Sequence, residues 1–107
     1  MRKYVAFDEA VVLNSNFASF ADITIYPVPV VEQTFSIDFD LLVPLNINLN
    51  IVNNMGVVYH TKQLQFAQAG LNKYVVNLSG SWPSGLYHAI FNYPDGSSET
   101  RSFNVAQ

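Results

Sequence analysis

Cysteine is absent from this 107-residue chain, which excludes a disulfide, a thiolate nucleophile and a zinc site built on cysteine ligands. Charge is also scarce, since 12% of the residues are charged, about half the usual share for a globular domain. The net charge of −3 does not fit the basic surface of a nucleic-acid-binding protein. No stretch approaches the roughly 18 apolar residues of a membrane span, so no membrane-spanning segment is expected.

Apolar residues, by contrast, are abundant. Half of the chain is hydrophobic and 14% is aromatic, the opposite of the balance found in disordered chains. The length is close to the commonest size of one domain and is too short for two independent cores. We therefore expect a single folded domain, and composition alone does not indicate its function.

The N-terminus begins with Met1-Arg2-Lys3, a basic start of the kind that signal peptides have. The apolar segment behind it, Tyr4–Phe7, is shorter than the about 7–15 residues of a signal-peptide core, and two acidic residues follow it. The sequence therefore predicts no secretion signal in this chain. We expect residues 1–21 to form an N-terminal extension or a first strand, and residues 22–107 to form the main domain.

Strict alternation of apolar and polar residues is the strongest pattern in the chain. Phe35–Leu41 reads FSIDFDL, and Leu45–Ile51 reads LNINLNI. On a β-strand each segment puts four large apolar side chains on one face and polar ones on the other, so Asn46, Asn48 and Asn50 are expected to face solvent or a partner. The residues predicted to be mostly buried are Phe35, Ile37, Phe39, Leu45, Ile47, Leu49, Ile51, Tyr87 and Phe103.

Turn signals separate these segments from other β-prone ones. Asn53–Gly56 and Pro94–Gly96 predict tight turns, with Gly96 at positive φ. Pro27 and Pro29 predict a place where a strand lies at an edge or leaves its sheet. The other predicted strands lie within Ile23–Tyr26, Val57–Phe66, Tyr74–Leu78, Tyr87–Tyr93 and Phe103–Val105. Tyr4–Phe7 and Ala10–Leu13 are further β-prone segments. About seven short strands, spaced by roughly 8–12 residues and without a helical pattern, predict an all-β sandwich of antiparallel strands.

Candidate catalytic and metal-binding residues are few. His60 and His88 lie on different predicted strands without a second histidine at ligand spacing, so a structural role is favoured for both. Asp38 and Asp40 share a strand face about 7 Å apart, a spacing compatible with a glycosidase carboxylate pair or a calcium site. A solvated face that discourages edge aggregation is the favoured interpretation of this pair.

Two further signatures are missing, those of a serine hydrolase and of a phosphate-binding loop. The serines between the predicted strands Tyr74–Leu78 and Tyr87–Tyr93, which are Ser79, Ser81 and Ser84, lack the G-x-S-x-G pattern of a nucleophile elbow. The five glycines are spread among turns, so no glycine-rich phosphate loop is present. We therefore expect no catalytic residue, no bound cofactor and no metal site, and we predict that the protein is not an enzyme.

Trp82 is the only tryptophan of the chain and allows two interpretations. Beside Tyr59, Tyr87 or Tyr93 its indole could form a flat platform for a sugar ring. The favoured interpretation is that Trp82 packs next to Pro83 and covers the rim of the core.

Tyr87 has a structural interpretation from the residues alone. Pro83 and Gly85 favour a tight corner, and Tyr87 follows at the start of a predicted strand. A tyrosine in this place, with its hydroxyl bonded to backbone a few residues upstream, is the tyrosine corner of Greek-key sandwiches. We expect Tyr87 to make this bond.

Three motifs occur in order over residues 22–107. They are Ile25-Tyr26-Pro27-Val28-Pro29 before a β-prone segment, Leu49–Tyr59 around its Asn-Asn-Met-Gly turn, and Asn77-Leu78-Ser79 followed by Trp82–Tyr87. With the final strand, Arg101–Val105, they resemble the C-terminal sorting domain of the type IX secretion system of Bacteroidetes and related small immunoglobulin-like domains of that phylum. Val28 stands where that family has asparagine, and the chain ends Ala-Gln where the family often has a basic or aliphatic residue.

The resemblance implies an immunoglobulin-like β-sandwich that serves as a non-catalytic, secreted or cell-surface accessory module. In that family the outer-membrane translocon recognises the domain, which is removed as the cargo is attached to the surface. The final strand is the expected docking element, with Arg101 and Asn104 facing solvent; its candidate contact residues are Arg101, Phe103, Asn104 and Val105.

Two other functions stay open. One is a stand-alone adhesion module that binds a surface protein or a glycan through Trp82 and nearby tyrosines. The other is a structural spacer domain. Under each of these functions no nucleic-acid partner is expected.

Overall fold

The computed structural model describes residues 17–78 and 82–107, which form an immunoglobulin-like β-sandwich. In these residues a short 3-10 helix is followed by seven strands. The helix is Phe17–Phe20, and the strands are β1 (Ala21–Tyr26), β2 (Thr34–Leu41), β3 (Leu45–Asn53), β4 (Val58–Phe66), β5 (Gly70–Asn77), β6 (Gly85–Asn92) and β7 (Ser98–Val105). The all-β prediction is confirmed. The β-prone segments Tyr4–Phe7 and Ala10–Leu13, and the serines Ser79 and Ser81, lie outside the described residues.

The strands pair in two antiparallel sheets. Sheet 1 has the order β1-β2-β5, and sheet 2 has the order β4-β3-β6-β7. In constant-type immunoglobulin domains the fourth strand joins the sheet of the first, second and fifth strands. Here β4 pairs with β3 instead, with Leu45 opposite Phe66 and Ile51 opposite His60. Sheet 2 is therefore the larger sheet, and β4 and β7 are its edges.

The alternating stripes of β2 and β3 form the centre of the core. All nine residues predicted to be buried are at most 4% exposed. Aromatic rings join the two sheets: Phe39 packs edge-to-face on Phe91 at 5.6 Å between ring centroids, and Phe35 lies 4.9 Å from Phe103. The outward residues Asn46 and Asn48 are exposed, and Asn50 is half-buried. The predicted register of both strands is confirmed, because a shift by one residue would reverse these faces.

The two predicted turns form as expected. In the turn between β6 and β7, the Gly96 N–H donates to the Tyr93 carbonyl at 3.0 Å, and Gly96 has a φ of 89°. In the turn between β3 and β4, Gly56 also has positive φ, and the Asn53 side-chain oxygen accepts from the backbone N–H groups of Met55 and Val57. In both turns, backbone N–H groups that have no partner in a neighbouring strand are thus bonded within the turn itself.

Between β1 and β2, which both belong to sheet 1, the chain leaves that sheet in the segment that contains Pro27 and Pro29. Both proline peptide bonds, after Tyr26 and after Val28, are cis. Val30 then pairs with β7: its N–H donates to the Asn104 carbonyl at 2.8 Å, and its carbonyl accepts from the Ala106 N–H at 2.8 Å. The prediction that the chain leaves the first sheet at the prolines is confirmed, and Val30 joins the two sheets on this side of the sandwich.

The connections lie at two opposite ends of the sandwich. We call one of them the motif end, defined by Pro27–Gln33, Asn53–Val57, Trp82–Ser84 and Ala106–Gln107, which all flank the same ends of the paired strands. The opposite end holds Phe17–Phe20, the turn Tyr93–Ser97 and the two remaining connections, Leu42–Pro44 and Ala67–Ala69. All three sequence motifs that carry the family resemblance therefore have their turn residues at the motif end.

Candidate functional site

Two of the three motifs share one shallow depression at the motif end. The turn residues Asn53–Met55 and the corner residues Pro83–Leu86 line it together with Tyr59 and Tyr87. The final residues of the chain are bonded to the same corner, because the Gln107 N–H donates to the Ser84 hydroxyl oxygen at 3.0 Å. Segments that are distant in the sequence thus form one continuous surface.

The segment after the two prolines is tied to this surface as well. The Gln107 side-chain amide donates to the backbone carbonyl of Glu32 at 2.7 Å. The Leu78 N–H donates to the Gln33 carbonyl at 2.7 Å, which connects the same segment to the end of β5. The segment that follows the first motif is therefore held to the C-terminal Gln107 by a direct hydrogen bond.

Exposed apolar side chains are prominent at the motif end. Met55 is 86% exposed, and Val57, Val58 and Leu86 are exposed near it. Val28, in the proline segment, is exposed too. Adjacent exposed apolar residues with polar neighbours are typical of a protein interaction site.

An aromatic cluster supports the depression from beneath. Trp82 is 5% exposed and lies 5.4 Å from Tyr59 and 5.3 Å from Tyr87, between ring centroids. It also packs edge-to-face on Phe35. The indole therefore covers the rim of the core beside Pro83, and almost none of its surface remains for a sugar ring.

The Tyr87 hydroxyl donates to the Pro83 carbonyl at 2.6 Å, which confirms the predicted tyrosine corner. Burial, and then the neighbouring Tyr59, raises the pKa of Tyr87 above its ordinary value. The hydroxyl consequently remains a protonated donor at neutral pH. It fixes the corner that forms one wall of the depression.

The terminal strand offers less side-chain surface than its sequence suggested. Phe103 and Val105 are 2% exposed and belong to the core. Asn104 is exposed, but its backbone carbonyl is already bonded to Val30. Arg101 is half-buried on the core-facing side of β7 and forms an ion pair with Glu99, so the expectation that it points to solvent as Asn104 does is corrected. The charges of Glu99 and Arg101 on the edge strand β7 oppose its pairing with another strand.

Both histidines have hydrogen-bond partners within the fold. His60 on β4 bonds to the Tyr74 hydroxyl on β5 at 2.7 Å and so links the two sheets. Burial, and then the charge of Lys62, lowers the pKa of His60. His88 bonds to the Ser102 hydroxyl and to the Asn54 side-chain oxygen, both at 2.8 Å. These contacts support the structural interpretation of the two residues.

The two predicted surface carboxylates lie on the outer face of sheet 1. Asp38 accepts a hydrogen bond from the Tyr26 hydroxyl at 3.1 Å and stands opposite Lys73. Asp40 is exposed and stands opposite Asp22. Among residues 17–78 and 82–107, no three histidine, cysteine or acidic residues are grouped so that they could hold a metal ion.

Sequence reasoning placed Asn46, Asn48 and Asn50 on an outward face but missed the surface that they join. The pairing of β4 and β6 with β3 brings Gln63, Gln65 and Asn92 next to them, and we call these six residues the amide face. The signal was present, because Gln63 and Gln65 alternate with Leu64, but the pattern does not show which strands are neighbours.

The fold and the site define a small immunoglobulin-like β-sandwich module. No protein-family model matches the chain, and no curated protein matches it. Within the described part of the chain, none of the helical structure is long and apolar enough to cross a membrane. The function of this chain is therefore inferred from its motifs and its surface geometry.

Proposed function

We propose that this domain is a non-catalytic accessory module of a secreted or cell-surface protein, similar to a type IX sorting domain, and that outer-membrane secretion machinery recognises it as a folded unit. The observation that carries this proposal is the convergence of the three motifs and the C-terminal residues at the motif end. The segments that meet there are Pro27–Gln33, Asn53–Val57, Trp82–Ser84 and Ala106–Gln107. A partner that binds them together detects the folded sandwich rather than a linear peptide.

The chemistry of the motif end suits a protein partner with an apolar contact surface. Among the residues that the structure describes, no Asp, Glu, Lys or Arg lines the depression. The side chain of Met55 is unbranched and adapts to different contact shapes, and Leu86 lines the same depression. Asn53 and Asn54 add polar atoms next to them, as expected for the rim of an interface.

Recognition along β7 alone is less favoured by the contacts. Val30 occupies the end of its open edge, and the Glu99–Arg101 ion pair lies beside the rest. By strand alternation, the backbone groups of Thr100 and Ser102 are the ones that face this edge. We therefore assign the main contact to the motif end and a supporting contact to this short stretch.

Surface display of a reporter protein tests the proposal. The full chain is fused behind the reporter in a bacterium with a working type IX system, and display is compared with that of the double variant Met55→Ser, Leu86→Ser. Both side chains are exposed, so the melting temperature should stay within roughly 3 °C, since about 1 kcal/mol shifts a domain of this size by several degrees. Display should nevertheless fall strongly.

The matched control is Leu42→Ser, which removes an exposed leucine at the opposite end. This variant should be displayed like the wild type. Normal display of the double variant, or an equal loss in both variants, contradicts recognition at the motif end. Failure of the wild-type fusion to reach the surface contradicts the sorting function itself and favours the adhesion or spacer function.

A further inference from the structure

The amide face contains a shallow depression at the opposite end of sheet 2 from the motif end. Its polar lining consists of four side-chain amides, and Leu64 and Pro94 complete it. In the strand register Asn46 stands opposite Gln65, and Asn48 stands opposite Gln63. None of these four amides has a hydrogen-bond partner among the described residues, so their donors and acceptors are available to a ligand.

The residue types at this face are unusual for a strand surface that meets only water. Asparagine is depleted in β-strands, yet it fills three successive outward positions of the inner strand β3. Local choices that oppose the propensity of their own strand are expected mainly at functional sites. Such a choice therefore indicates a surface selected for its amide groups.

The amide face differs from the outer face of the other sheet in its charged residues. The charged residues of sheet 2 within its described strands, Lys62, Glu99 and Arg101, lie in phase with core residues rather than on the outer face. The outer face of sheet 1, by contrast, carries four charged residues, which are Asp22, Asp38, Asp40 and Lys73. The amide face thus offers hydrogen bonds without a fixed charge.

We propose that the depression in the amide face binds a neutral carbohydrate. Neighbouring strands are about 4.8 Å apart and alternate residues of a strand about 7 Å apart, so the four amides stand at the corners of an area suited to one sugar ring. Each amide both donates and accepts, as each sugar hydroxyl does. Pro94 at the border provides an apolar surface for the C–H groups of the ring. The absence of charge complements an uncharged sugar.

This inference does not rest on the proposed sorting function, because the two surfaces lie at opposite ends of the domain. It also places a carbohydrate contact away from Trp82, whose indole is buried. Exposed hydrogen bonds replace bonds to water, so we expect weak binding, with a dissociation constant on the order of 1 mM.

NMR titration of the full chain tests the proposal, because the side-chain amide groups of asparagine and glutamine are observed directly. The probes are three neutral oligosaccharides, cellohexaose, mannohexaose and chitotetraose, with hexagalacturonate as the charged comparison. At least one neutral probe should shift the side-chain signals of Asn46, Asn48, Gln63 and Gln65. The affinity for hexagalacturonate, obtained from the same signals, should be at least tenfold weaker.

The decisive variant is Asn48→Thr, Gln63→Thr. Threonine is favoured in strands, so this double variant should fold at least as well as the wild type while its affinity falls about tenfold or more. The matched control is Ser36→Thr on the outer face of sheet 1, which should bind like the wild type.

The inference is overturned if no neutral probe shifts the signals of the four amides at millimolar concentration, if hexagalacturonate binds as tightly as the neutral probe, or if the double variant binds with wild-type affinity. The same double variant should be displayed normally in the reporter assay, so the two proposals fail independently.

Discussion

The hydroxyl of Tyr87 donates a hydrogen bond to the carbonyl oxygen of Pro83, four residues upstream and 2.6 Å away. This bond connects the beginning of β6 to the corner that precedes it. The same corner holds Gln107 through Ser84 and lines the depression at the motif end. One side chain therefore couples the stability of the core to the shape of the candidate recognition surface.

Tyr87→Phe should lower the free energy of unfolding by about 1 kcal/mol, because one intramolecular hydrogen bond is lost while the buried ring is retained. Tyr87→Ala should cost about 3–5 kcal/mol, because the ring contacts with Trp82 and Phe103 are lost as well. Urea unfolding measures both values. Equal stability of the phenylalanine variant and the wild type would show that the corner bond contributes nothing.

Ile47→Ala and Ile51→Ala should each cost about 2–5 kcal/mol, because both side chains are fully buried at the centre of the core. Asn46→Ala, on the outward face of the same strand, should change stability by less than about 0.5 kcal/mol. Thermal melts of the three variants compare the two faces of β3. A large loss in Asn46→Ala with no loss in the isoleucine variants would contradict the observed register.

Gly96→Val should destabilise the domain by about 1–2 kcal/mol. A Cβ atom at this position meets no atom within 4 Å, so the cost comes from the backbone, whose φ of 89° suits glycine and is unfavourable for a β-branched residue. Gly96→Asn should cost less, because asparagine tolerates positive φ better. Chemical denaturation of both variants tests this order, and a valine variant as stable as the asparagine variant contradicts it.

Stability should depend on pH through His60. Burial and Lys62 lower its pKa in the folded protein below the ordinary value of 6.5, so the unfolded chain binds a proton first as the pH falls. The stability contributed by neutral His60 is thus complete above pH 6.5 and is lost as the pH falls below it.

The variant His60→Gln removes this titration and should flatten the dependence between about pH 7.5 and pH 5.5. Urea unfolding of the wild type and the variant across this range gives the difference that belongs to His60, because every other titrating group is shared. The same slope in both proteins would be evidence against the effect.

The period-two pattern was sufficient to predict the stripes of β2 and β3, because only one register buries Phe35 and Ile47 while Asn48 faces out. The same period-two pattern also indicated the orientation of Arg101. This residue lies in phase with Phe103 and Val105 and therefore belongs to the core-facing side of β7. At an edge strand such a residue can still reach solvent along its long side chain.

Other features depended on which strands become neighbours, and local patterns do not contain that information. The bond of His60 to Tyr74, the pairing of Val30 with β7, and the amide face all join strands or segments distant in the sequence. The motif end is a related case. Its motifs were visible individually, but their convergence follows from the sheet order.

The direction of the first and last strands has a mechanical consequence. The chain enters β1 at the opposite end and leaves β7 at the motif end, so tension between Phe17 and Gln107 is directed along the strands. Because the interstrand hydrogen bonds are perpendicular to that direction, the bonds of each terminal strand are sheared together rather than opened one after another. Val30 transfers part of the load from one sheet to the other through Asn104 and Ala106. The sandwich should therefore resist a stretching force applied between Phe17 and Gln107.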